Sequence, residues 1–167
     1  MTAYLPLVGV IAGAVITFVA TSYKDATQWK RSESARLGEM RRKAYADYAG
    51  AVKLETTTCR HVISGRITIE EGFEQMAQHQ KERTAYFENV LLVGSPQTVG
   101  AAREWQSAVS AFRKAIRSSK SRGTADYKEL YRLAGVARDH FYVAARKDLQ
   151  VGGDVSSAGP DDLTAVD

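Results

Sequence analysis

Cysteine is nearly missing from this chain: Cys59 stands alone among 167 residues. A lone cysteine excludes an internal disulfide framework and any zinc or iron–sulfur site built from several thiolates. Proline is almost as scarce, with Pro6, Pro96 and Pro160 only, so none interrupts residues 7–95. Without proline the i→i−4 hydrogen-bond ladder of a helix can run on unbroken. Charge is missing from two places. Residues 1–23 hold no Lys, Arg, Asp, Glu or His, and residues 151–167 hold four aspartates and no base.

These gaps reorganise the average composition. The formal net charge of +4 hides a middle segment, 24–150, in which all 23 bases face 15 acids, a net of +8. The 44% apolar content excludes a wholly disordered chain. The length fits one ordinary domain and excludes a large multidomain enzyme. Three parts follow: 1–23, 24–150, and a small, polar, acidic tail at 151–167 whose composition predicts disorder.

The uncharged run Tyr4–Tyr23 is twenty residues long. As a helix it would span about 30 Å, the thickness of a bilayer's hydrocarbon core. Tyr4 and Tyr23 bracket it as interfacial aromatics do, and Pro6 falls in the first turn, where a missing N–H costs little. These features predict an uncleaved transmembrane anchor. A cleaved signal peptide would need a basic start and a better cleavage site than Val19-Ala20-Thr21-Ser22. Lys24, Lys30, Arg31, Arg36, Arg41, Arg42 and Lys43 follow the run and no base precedes it, so the positive-inside rule predicts a single-pass inner-membrane protein with its N-terminus out and its main domain cytoplasmic. Gly9, Gly13 and Thr17 place small residues at four-residue spacing, a face suited to transmembrane packing and self-association.

The rest reads as all-α, an antiparallel bundle of about four helices. A helical pair or an oligomeric coiled coil would use the same elements. Leu37, Met40, Ala44, Tyr48, Ala51, Val52, Cys59 and Val62 form a first stripe at spacings of three and four. Ser64-Gly65-Arg66 signals a turn, and Thr68 with Glu71 forms a capping box opening a second helix. That helix carries Ile69, Phe73, Met76, Gln80, Phe87, Val90 and Leu91 on one side and stops at Gly94. Ser95-Pro96 starts a third helix, striped by Val99, Ala102, Trp105, Val109, Phe112 and Ile116. Arg122-Gly123-Thr124 separates it from a fourth, with Tyr127, Leu130, Tyr131, Ala134, Ala137, Phe141, Ala144 and Ala145. Gly152-Gly153 is expected to end the bundle.

Catalytic signatures are absent. No Glu precedes His61, His79 or His140 by three residues, as a di-iron bundle would need. There is no His-Glu-x-x-His, Gly-x-Ser-x-Gly, P-loop or Gly-x-Gly-x-x-Gly. Glu70, Glu71 and Glu74 suit the positive end of a helix dipole without further purpose. Cys59 is expected in the core and the histidines on the surface. No catalytic, cofactor or metal residue is assigned, and the expectation is a protein that is not an enzyme. Arg113, Lys114, Arg117, Lys120 and Arg122 form a run without an acid and so offer a patch for an anionic partner. No helix-turn-helix or interleaved aromatic pattern favours nucleic acid.

The stretch YLPLVGVIAGAVITFVATSY followed by WKRSESARLGEMRRKAYADYAGAV resembles uncharacterised small bacterial single-pass membrane proteins with an Arg-rich helical cytosolic region. The resemblance covers about the first 52 residues. It implies a bacterial or phage origin and an inner-membrane location, and it transfers no site. The expected function is a membrane-tethered, cytosol-facing interaction or scaffolding module whose partners are the bilayer and an unidentified protein. The alternative is a membrane-anchored sensor that binds a small ligand within the bundle.

Overall fold

A computed structural model describes the backbone of residues 5–118 and 124–151, with side chains at Trp29, 32–118 and 126–151. Apart from short turns, the described residues form four helices: α1 (Leu5–Ile63), α2 (Ile69–Val93), α3 (Pro96–Ser118) and α4 (Thr124–Asp148). It divides into two compact units, Met1–Glu39 and Met40–Asp167.

In the first unit, Trp29 is exposed and its carbonyl accepts the Ser32 hydroxyl at 2.8 Å. Among the described residues, no helix is long and apolar enough to cross a membrane. The apolar run 4–23, including Gly9, Gly13 and Thr17, lies outside the residues whose side chains are described.

The second unit is an up-down-up-down bundle, and side-chain pairing sets its directions. Tyr48 meets Phe87 and Cys59 meets Met76, so α1 and α2 run antiparallel. Trp105 meets Phe141 and Phe112 meets Tyr131, so α3 and α4 do too. Tyr48 donates to the Ala102 carbonyl at 2.6 Å while Glu55 pairs with Arg113, which makes α1 and α3 parallel.

Local chemistry sets the boundaries. After α1, Arg66 N–H bonds the His61 carbonyl and Gly65 N–H bonds that of Val62. This is the Schellman closure, and Gly65 supplies its left-handed residue at φ 68°. The capping box is formed: Glu71 N–H donates to Thr68 Oγ1 at 3.2 Å and Thr68 N–H to Glu71 Oε2 at 3.1 Å. Gly94 is the C-cap of α2, and Ser95 Oγ accepts the Thr98 N–H at 3.3 Å as α3 begins. The end of α4 corrects the sequence reading. It stops at Asp148, before Gly152-Gly153, through a second Schellman closure in which Gln150 takes φ 56° without being glycine. The segment 119–123, the turn expected before α4, lies outside the described residues, as does the acidic tail from 152 onward.

The core is layered. One cluster gathers Tyr48, Val52, Trp105, Val109 and Phe141. Its rings meet edge-on or tilted, as aromatic quadrupoles favour, with Tyr48–Trp105 centroids 6.0 Å apart. A second cluster gathers Cys59, Val62, Met76, Phe112 and Ile116. Leu37 and Met40, expected in the first stripe, are exposed. So are Ile69, Gln80 and Leu91 of the second. Between the clusters lies a charged layer.

Candidate functional site

That layer is Glu55, Arg83 and Arg113, one residue from each of α1, α2 and α3. Glu55 is fully buried and Arg83 is 2% exposed. Arg83 Nη1 donates to Glu55 Oε2 at 2.6 Å, and Arg113 Nη1 stands 3.1 Å from Oε1. Burial pushes the Glu55 carboxyl up from its ordinary value, opposed by Arg83, Arg113 and His79 in that order. His79 corrects the expectation of surface histidines: it is half-buried, with Nδ1 shut away from solvent. Cys59 is buried as expected, and burial pushes its thiol up to about 12, so it stays protonated. Glu55 and Arg83 are shut away from solvent while Arg113 stays partly exposed, and the layer joins three helices.

A second polar knot closes one end of the bundle. Asp148, the last residue of α4, accepts the Tyr45 hydroxyl and the Ser95 N–H, the latter at 2.9 Å. Arg41 Nη1 lies 3.3 Å from its other oxygen, while Arg41 Nε donates to the Val93 carbonyl at 2.7 Å. Partial burial pushes Asp148 up. The hydrogen bonds from Tyr45 and Ser95 and the charge of Arg41 outweigh that and hold it below its ordinary value. Tyr45 is raised to about 12, by burial first and by Asp148 second.

The open site is the seam between α1 and α4. Lys53, Thr56, Thr57 and Arg60 lie at i, i+3, i+4 and i+7, so one face of α1 presents them together. Opposite, α4 presents Tyr131, Ala134, Gly135 and Arg138, and Trp105 of α3 forms the floor of a groove of about 380 Å³. Small residues keep it open: a Cβ on Gly135 would find nothing within 4 Å. A second hollow of about 410 Å³ continues the seam past Ala46, Ala49 and Gly50 to Leu149, sharing Lys53.

The rim is cationic. Arg132 is held by Glu129 at 2.7 Å and Arg138 by Asp139 at 3.0 Å. Lys53 and Arg60 have no ion-pair partner among the described residues. Exposed Val136 adds apolar surface at the same place. The groove can therefore receive an anionic group at its rim and apolar atoms at its floor.

The basic run read from the sequence is dispersed. Arg113 turns inward to Glu55 and also donates to Gln80. Arg117 covers the Phe73 ring with its guanidinium 5.2 Å from the centroid. Lys114 is exposed, and Lys120 and Arg122 lie outside the described residues. Among the described residues no three of His, Cys, Asp and Glu gather as metal ligands. Sequence reasoning passed over Lys53, Thr56, Thr57 and Arg60, although their helical spacing was available as a signal. No family model matches this chain, and no curated protein or solved structure matches it.

Proposed function

We propose that this protein is a membrane-tethered helical docking module, with residues 4–23 as a single-pass anchor and the bundle on the cytosolic side. Its α1–α4 groove receives an acidic, partly apolar segment. The observation that supports this reading is the pair Lys53 and Arg60, cations without ion-pair partners among the described residues, above a floor of Trp105 and small residues. The tether rests on the uncharged run and the basic flank that follows it.

Magnitudes divide the labour. Surface ion pairs contribute about 0.2–1 kcal/mol each, whereas micromolar affinity needs about 8 kcal/mol. Rim charges therefore orient and accelerate encounter, and apolar contact in the groove supplies most of the affinity. A helix laid in the groove would use this division, with anchors at i, i+3 and i+4.

A photo-crosslinker at Thr57, in native membranes, tests the reading. Crosslinks to an acidic segment that disappear in K53E/R60E support it. Crosslinking unaffected by K53E/R60E, or none at all, overturns it. A second reading, a sensor for a small anionic ligand, is favoured by the groove's size, which lies within the roughly 300–1,000 Å³ of small-molecule sites.

A further inference from the structure

We propose that the chain carries its own occupant for the α1–α4 groove: the acidic segment Asp161–Asp167 folds back onto Lys53, Arg60 and Arg138 and competes with outside ligands. This rests on the docking reading above. Three observations carry it.

The first is charge complementarity. The segment DDLTAVD holds three of the four aspartates in a stretch, 151–167, that contains no base. The groove rim presents Lys53 and Arg60 without ion-pair partners among the described residues. Glu70, Glu71 and Glu74 form a similar acidic run, but they are built into the start of α2, whereas 161–167 follows the end of α4.

The second is reach. Val151 and Asp161 are ten positions apart, and the nine residues between them include three Gly and two Ser. Chains of that composition have a root-mean-square reach of about 5–6 Å × √n, here about 16–19 Å. From Leu149 to Arg138 along α4 the helical rise is about 17 Å. A tether whose natural length matches its span gives the highest effective concentration, of millimolar order for short flexible linkers.

The third is the apolar match. Leu163 and Val166 are three apart, flanked by aspartates, so one helical turn would aim both the same way. The groove offers Ala134, open space above Gly135 and exposed Val136 to receive them. Three aspartates near three basic side chains add the steering term without much net affinity, so occupancy is reversible. An outside acidic segment that binds more strongly displaces the tail.

The experiment uses the full chain in phosphatidylethanolamine/phosphatidylglycerol nanodiscs. Trp29→Phe leaves Trp105 as the sole tryptophan. A nitroxide is attached through Thr164→Cys; Cys59 is buried with its thiol protonated and does not compete for the label. The proposal expects the nitroxide to quench Trp105, independently of protein concentration, with quenching lost at 0.5 M salt and in K53E/R60E. Unquenched Trp105 at low salt overturns it. Quenching that vanishes when labelled protein is diluted with unlabelled protein overturns it as well, since the tail then belongs to a second copy.

A synthetic nitroxide-labelled peptide of residues 160–167 provides the second arm. It should bind the full chain carrying D154N/D161N/D162N/D167N about tenfold more tightly than the unaltered chain, the ratio set by a millimolar tether against an affinity of order 100 µM. Equal binding to both chains, blocked by K53E/R60E, overturns the tail proposal and leaves the docking reading standing. No binding to either chain overturns both.

Discussion

Arg83 reaches across from α2 and donates to the Glu55 carboxylate at 2.6 Å with neither side chain in contact with bulk water. Such a pair costs several kcal/mol per ion to dehydrate, so its presence does not by itself add stability. Its effect is on specificity of pairing. Of the positions along α1, the one that faces Arg83 is Glu55, and sliding α2 by one turn would leave Arg83 buried and alone while Glu55 kept only Arg113.

Removing Glu55 alone should therefore be worse than removing both partners. Glu55→Gln is expected to lower stability by about 3–5 kcal/mol, because Arg83 then stays buried without compensation. Arg83→Met should cost less, because Arg113 still faces Glu55 at 3.1 Å. The double variant Glu55→Met/Arg83→Met should recover at least about 2 kcal/mol of the Glu55→Gln loss, with Arg113 turning to Gln80 and solvent. Urea denaturation of the three variants checks the order. A double variant no more stable than Glu55→Gln would refute it.

The Asp148 knot makes stability depend on acidity. Its folded pKa lies below its ordinary value of about 3.9. A carboxylate so depressed contributes fully above its unfolded value, and the contribution is lost as pH falls through the folded one. Asp148→Asn should cost about 1–2 kcal/mol at pH 7, discounted for the part of the knot open to solvent. Thermal melts of both proteins should converge as pH is lowered from about 5 towards 2. Parallel curves over that range would show that Asp148 is not the titrating group.

Two glycines in helices should respond in opposite ways to alanine. A Cβ at Gly100 meets nothing within 4 Å, and Gly100→Ala should stabilise by about 0.5–1 kcal/mol through helix propensity. A Cβ at Gly72 would lie 2.1 Å from Val62 Cγ2. Valine has little rotamer freedom with which to yield, so Gly72→Ala should destabilise by about 1–3 kcal/mol. Melting temperatures of the pair give the comparison directly.

Cys59 should be chemically silent in the folded state. Its thiol is pushed up to about 12, and its sulfur lies 3.8 Å from that of Met76. Thiolate is the reactive form, so a thiol-specific reagent at pH 8 should label the native chain at least a hundredfold more slowly than the urea-unfolded chain. Comparable rates would show that this end of the core opens readily.

Much of this architecture could be read from residue spacing, and the exceptions share a cause. The stripes on α3 and α4 locate the core correctly because Trp105, Val109, Phe112 and Phe141 follow one helical period. The capping box at Thr68 and the turn at Gly65 depend on neighbouring residues, so they too were legible. The charged layer was also written there, as a gap. The α1 stripe skips from Val52 to Cys59 and the α2 stripe gives the exposed Gln80 where Arg83 is buried. An apolar template cannot register a position whose burial is made tolerable by a charge on another helix. The groove escaped notice for a related reason. Lys53 and Arg60 look like an ordinary solvated face until α4 and its small residues are set opposite. The end of α4 depended on Gln150 accepting a left-handed conformation, which residue type does not announce.

The Asp148 knot also bears on the order in which the bundle is completed during synthesis. Ser95, whose N–H needs this carboxylate, leaves the ribosome 53 residues before it. At translation speeds of about 5–20 residues per second that interval is about 3–11 s. Throughout it Arg41, Tyr45 and the start of α3 exist without the group that fastens them. The nascent chain thus passes through a stage in which three helices are made and one end of their assembly is unlatched. A partner or chaperone that recognises that end has seconds in which to act, and the last turn of α4 closes the window.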